Sequence, residues 1–240
     1  MAPGSRRDGR RSSAHNSGSR LKYPGQTATE TDLLLAPEQA IGFLGAAVLL
    51  TLAPGPDNLM VLSIGASRGR LRGMAFGLGC ALGCLSHTAL AALGVSALIK
   101  ASPIAFTALR IAGGAYLVWI GWQALRSRGG ATTSGKTLDD APWALFRRGL
   151  IANAINPKVI MFFLALLPQF VVPSRGGTGW QIAQLGTLFT LQAAVLFGLL
   201  GYFGGAIGQW LARHGKAGLW LDRLAGGVLV ALGLRLIVSR

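Results

Sequence analysis

Thr51 to Arg70 reads TLAPGPDNLMVLSIGASRGR. It begins as the middle of an apolar helix, and then two prolines, a glycine, an aspartate and an asparagine arrive together at Pro54, Gly55, Pro56, Asp57 and Asn58. Proline removes a backbone donor and collides with the preceding turn, while an unsatisfied polar group in hydrocarbon costs several kcal/mol. A helix broken at such a depth needs a compensating reason.

Composition sets the solvent. Of 240 residues, 51% are hydrophobic and only 13% are charged, with 35 glycines and six tryptophans. That balance suits a polytopic all-α membrane protein whose first partner is the lipid bilayer. The net charge of +15 raises nucleic acid as a partner. The basic residues, however, sit in the N-terminal tail and between apolar runs, where the positive-inside rule places them, so no nucleic acid is expected. Cys80 and Cys84 stand four apart in an apolar run without a His or acid at ligand spacing, and read as packing residues; no metal site is expected.

Apolar runs span Ala40 to Ile64, Met74 to Ile99, Ile104 to Leu125, Leu150 to Val172, Ile182 to Leu211 and Leu219 to Val238. Each has the roughly 20 residues that a helix needs to cross about 30 Å of hydrocarbon, giving six expected transmembrane helices. Arg126 to Gly149, polar and rich in Gly, Ser and Thr, reads as a linker between two three-helix halves, 36–125 and 147–240. The third run opens RIAGG at Arg110 and the sixth RLAGG at Arg223, with further glycines at Gly121 and Gly233. Three spans per half make the second half enter from the opposite side, so the expected architecture is an inverted repeat.

Lys and Arg gather after runs one, three and five, which places those linkers in the cytoplasm and both termini outside. Residues 1–35 are polar, basic and without apolar periodicity, and are expected to be a disordered tail. They show neither the apolar region nor the cleavage site of a signal peptide.

The first break has a counterpart. ANAINPKVIMFFLALLPQF, Ala152 to Phe170, carries Asn156-Pro157 at a similar depth in the fourth run. Paired interruptions in two halves point to a transporter binding site. Asn156 as N-cap with Pro157 at the first helical position restarts a helix whose positive end suits a carboxylate, and Lys158 adds a full charge. Across the break, Asp57 with Asn58 can meet an ammonium group or carry a proton. Together these residues can hold both ends of a zwitterion. Each also has a plain structural reading: Asp57 and Asn58 as caps, Asn156-Pro157 as a packing kink, Lys158 reaching for a headgroup. His87 is a proton-relay candidate, although a lone His in such a run more often bonds a neighbouring helix. Gly73, Gly77, Gly79 and Gly83 allow close helix approach, and Gln184 and Gln192 are minor cavity candidates.

APGPDNLMVLSIGASRGRLRGMAFGLGCALG, NPKVIMFFLALLPQFV and RLAGGVLVALGLRL, in that order, resemble the LysE/RhtB family of bacterial amino-acid exporters, from Ala36 to the C-terminus. The resemblance implies an inner-membrane protein that moves amino acids or close derivatives out of the cell in exchange for protons, with its helix breaks at Pro54 to Asn58 and Asn156 to Lys158. The long basic tail departs from that pattern. Two rivals remain: a metal-ion or other small-solute exporter, which would need several converging intramembrane acids, His or Cys, and an intramembrane enzyme. Ser86 and His87 are adjacent and point to different helix faces, and no H-E-x-x-H is present, so an enzyme is not expected. No ATP-binding motif or cofactor fingerprint is visible, so an ion gradient is the expected energy source. Which amino acid is carried, and whether the chain forms a homo-oligomer, the sequence leaves open.

Overall fold

A computed structural model describes residues 35–53, 55–95, 97, 102–126 and 140–238, and among these it contains helices and no strand. The expected tail, Pro54, and the centre of the Arg126 to Gly149 linker lie outside the described residues. In chain order the helices are α1 (Pro37–Leu52), α2 (Pro56–Arg68), α3 (Arg70–Leu90), α4 (Pro103–Leu125), α5 (Pro142–Ala154), α6 (Pro157–Met161), α7 (Thr178–Tyr202), α8 (Gly204–Arg213) and α9 (Gly215–Val238). A π-helical turn, Ala91–Val95, extends α3, and α6 runs on through a π turn, Phe162–Leu166, and a 3-10 turn, Leu167–Phe170.

Proline does much of the punctuation. Pro37, Pro56, Pro103, Pro142 and Pro157 each occupy the start of a helix, where the missing N–H would have had no partner and φ is already helical. Before Pro103, Ser102 accepts the Ala105 N–H at 3.2 Å as a side-chain cap. Pro142 also corrects one expectation. Phe146, Arg147, Arg148 and Gly149 are not linker but the second turn and beyond of α5, whose first turns are braced by stacking of Trp143 on Phe146 at 5.2 Å.

Three helices are each long and apolar enough to cross a membrane: Arg70–Gly94, Pro103–Leu125 and Thr178–Tyr202. Two bent pairs qualify as single broken spans, Pro37–Leu52 with Pro56–Arg68 at 59° and Pro142–Ala154 with Pro157–Phe170 at 48°, which brings the number to five. The sixth run lies in the 24-residue α9. The fifth run is shorter than its apolar pattern, because the chain leaves α7 at Phe203 and α8 packs on α2 instead. There a Cβ on Gly204 would stand only 3.0 Å from the Gly65 Cα.

Glycines set the helix directions. Gly114 lies against the Gly233 carbonyl and Gly121 against that of Gly226, so α4 and α9 are antiparallel with a seven-residue step in each. Gly73 meets Gly201, Gly77 meets Phe197 and Gly186 meets Thr88, which makes α3 and α7 antiparallel as well. Gly79 faces Phe146 and Gly83 faces Asn153, so α3 and α5 run parallel. In every one of these contacts a Cβ would fall within 3.0 Å of the neighbouring helix, closer than side chains pack. At the centre, Phe43, Phe162, Phe163 and Phe189 stack edge to face and tilted with centroids 5.1–6.5 Å apart. Large apolar side chains such as Trp119, Trp122, Leu191 and Val195 face outward, as a lipid-facing surface requires.

Gly149→Val is therefore expected to lower the melting temperature of the detergent-purified protein, since its Cβ would stand 2.1 Å from the Phe76 carbonyl oxygen, a backbone atom that cannot step aside. Gly227→Ala is the matched control, with nothing within 4 Å and a gain in helix propensity. Equal melting of the two variants would show that the α3–α5 contact tolerates a side chain.

Candidate functional site

The two breaks meet and repair each other. A helix that ends in an apolar interior leaves its last carbonyls without donors. At the end of α1, Lys158 Nζ donates to the Leu50 carbonyl at 3.1 Å and to that of Ala53 at 2.8 Å, and Asn58 Nδ2 donates to that of Thr51 at 2.7 Å. Gln192 of α7 adds a bond to the Thr51 hydroxyl at 2.9 Å. So the cation of the second break satisfies the carbonyl end of the first, where the helix dipole also favours positive charge. Gly55 completes the fit: a Cβ there would lie 3.0 Å from the Lys158 ammonium.

The α5–α6 break is closed in a similar way. Asn156 caps α6, its Oδ1 accepting the Lys158 N–H at 3.0 Å. His87 Nε2 lies 3.0 Å from the Asn153 carbonyl; since a carbonyl only accepts, that nitrogen carries the proton. The ring also sits 5.6 Å from that of Phe163. Asn153 Nδ2 in turn donates to Asp57 Oδ2 at 2.8 Å, and Cys84 Sγ stands 3.4 Å from Asn153 Oδ1. Asp57, Asn58, His87, Asn153, Asn156 and Lys158 are all buried, at 1–6% exposure, in an otherwise apolar bundle.

One face of this network opens into a cavity of about 550 Å³. Pro56, Asp57, Asn156 and Pro157 line it together with the apolar Met60, Ile64, Phe76, Leu145, Ala152 and Ile155 and with the basic Arg68 and Arg148. A second void, of about 10 Å³, touches Asp57, Asn58, Asn153 and Lys158 on the other side. It has room for about one water molecule. Asp57 borders both spaces.

Of the residues singled out in the sequence, Asp57, Pro56, Asn156 and Pro157 thus share one cavity, whereas Asn58, Lys158 and His87 stand behind it in the hydrogen-bond network. Gly55 lies against Lys158. Gln192 reaches the network and Gln184 does not, bonding the Trp180 carbonyl of its own helix at 3.5 Å. Sequence reasoning missed Asn153, which ties His87, Cys84 and Asp57 together, and Thr51. The available signal was the spacing of Asn153 and Asn156 just ahead of Pro157, a second polar residue in the same apolar run.

A helical bundle with an apolar rim and two broken spans that jointly line a cavity points to a membrane transport protein. The chain belongs to the LysE type translocator family, whose sequence model matches residues 48–240. The resemblance read from its motifs is thereby borne out. It is 34% identical over 204 residues to an uncharacterized membrane protein of Vibrio cholerae, covering 83% of this chain and 97% of that one. It is 30% identical to the threonine efflux protein of Escherichia coli K12, over 80% of this chain and 94% of the relative, and 28% identical to the leucine efflux protein of an Enterobacter species, over 81% and 92%. No solved structure matches the chain.

Proposed function

We propose that this translocator exports amino acids or close derivatives across the bacterial inner membrane by proton antiport, with the cargo's ammonium group and the coupling proton using Asp57 in turn. The observation that carries this reading is a buried acid, Asp57, lining a cavity that the basic Arg68 and Arg148 also line. The relatives named for threonine and leucine efflux support amino acids as cargo. An intramembrane acid is expensive to keep and marks ion and substrate paths.

The helix directions support six spans in two inverted three-helix halves: alternating crossings make α4 antiparallel to α9, α3 antiparallel to α7, and α3 parallel to α5, as the glycine contacts have them. Arg68, Arg70, Arg72, Arg147 and Arg148 lie on the face that the positive-inside rule assigns to the cytoplasm, so the cavity is a cytoplasmic vestibule and both termini are outside. Pro56, Asp57, Asn156 and Pro157 form the cargo's seat. Lys158 and Asn58 hold the break that makes the seat, and His87 holds the second.

The test is to load cells lacking the gene with dipeptides of each amino acid and compare intracellular accumulation with and without the expressed protein. Efflux of at least one amino acid that rises with an imposed proton gradient is the expected result. Equal accumulation of every amino acid in both strains would end the exporter reading, and efflux indifferent to the gradient would end proton coupling.

A further inference from the structure

Asp140, just ahead of α5, accepts at Oδ2 from Arg68 Nη1 at 3.4 Å and from Arg148 Nη1. Its backbone carbonyl accepts from Arg72 Nε at 3.1 Å. Two guanidinium groups, one from the end of α2 and one from α5, thus converge on a single carboxylate. Both belong to residues that line the cavity beside Asp57, whereas Asp140 is not among the lining residues. The side chains of Arg68 and Asp140 are 17% and 15% exposed and that of Arg148 is 54% exposed, so the cluster is only partly buried.

We propose that Arg68 and Arg148 form a carboxylate-recognition station on the cavity wall, and that Asp140 occupies it as a built-in, displaceable competitor. The proposal rests on the amino-acid export reading for the identity of the cargo, though not for the existence of the station. Guanidinium groups are the side chains best shaped for carboxylates, and this pair already holds one. Guanidinium groups on the cavity wall draw anionic groups towards the cavity.

Asp57 and Arg68 lie eleven positions apart on α2, a backbone rise of about 16 Å at 1.5 Å per residue. A free amino acid, whose charged ends are only a few ångströms apart, cannot span that distance. The station therefore acts before the deep seat: it selects cargo with a free carboxylate and releases it inward when Asp140 returns. The exchange breaks no covalent bond; one carboxylate replaces another on the same donors.

The test uses the full chain purified in detergent and sodium acetate as the probe, against sodium chloride at equal ionic strength. In Asp140→Asn, where the competitor has lost its charge, acetate is expected to raise the melting temperature relative to chloride, more than in wild type, because a ligand that binds only the folded state stabilises it. The double variant Asp140→Asn with Arg148→Gln is expected to lose that shift. Equal shifts in all three proteins would overturn the station. Should Asp140→Asn fail to fold, wild type and Arg148→Gln are compared in the same way, and an equal acetate response overturns it again. In proteoliposomes, Asp140→Asn is expected to lower the apparent KM for leucine several-fold and to leave that for leucinamide unmoved; a raised KM for leucine would make Asp140 a structural clamp. Failure of every amino acid to be transported would end the export reading alone, since the acetate shifts decide the station independently.

Discussion

Asp57→Asn is expected to abolish amino-acid efflux while leaving the protein in the membrane with a melting temperature close to that of wild type. The substitution keeps the side chain's shape, its oxygen can still accept the Asn153 Nδ2 bond, and Asn is as good as Asp near the start of a helix. What it removes is the charge and the proton site. Asp57 is 4% exposed and is the one acid among the described residues that line the cavity, so an ammonium group in the cavity would meet no other carboxylate among them. A structural acid predicts a loss of stability with this variant, and a transport acid predicts a loss of efflux at constant stability. Uptake of labelled leucine and threonine into vesicles, measured beside a thermal melt of the same preparation, separates the two. Normal efflux in the Asn variant would reduce Asp57 to a cap.

Local chemistry was legible in the sequence wherever it acts over a few residues. Pro56 and Pro157 open helices, Asn156 caps one, and the apolar runs locate the five candidate spans and α9 because each depends on nearest neighbours along the chain. The RIAGG and RLAGG runs announced close packing, although which glycine meets which follows from α4 and α9 lying antiparallel, a fact about two distant segments. What stayed hidden lies between segments distant in the chain. Lys158 bonds carbonyls 108 and 105 positions away, and Asn153 reaches Asp57 across 96. No periodicity encodes such pairs. The start of α5 was hidden for another reason: Arg147 and Arg148 read as linker charge, yet they lie in the helix that opens at Pro142, and Asp140 neutralises part of that charge.

Lys158→Met is expected to lower stability and transport together, and this outcome separates two roles for the lysine. Read from the sequence, Lys158 is a carboxylate ligand, and on that account a methionine of similar length would keep the fold and lose the cargo. In the structure two of the three ammonium donors go to the Leu50 and Ala53 carbonyls at the end of α1, and the side chain is 6% exposed. Removing the donors leaves two buried acceptors unpaired, at roughly 1–3 kcal/mol each, a large share of the stability of an ordinary domain. The end of α1 would then have to move towards water, and Gly55 and Pro56 with it, so the seat beside Asp57 would lose its shape. Lys158→Arg keeps positive donors in a bulkier group against Gly55 and is expected to retain more of the melting temperature than Met, with partial efflux. Thermal melts and leucine efflux for wild type, Arg and Met variants decide the matter. A Met variant that melts like wild type and fails to transport would return Lys158 to the cargo's carboxylate, because a helix end that tolerates two bare carbonyls had another source of donors all along.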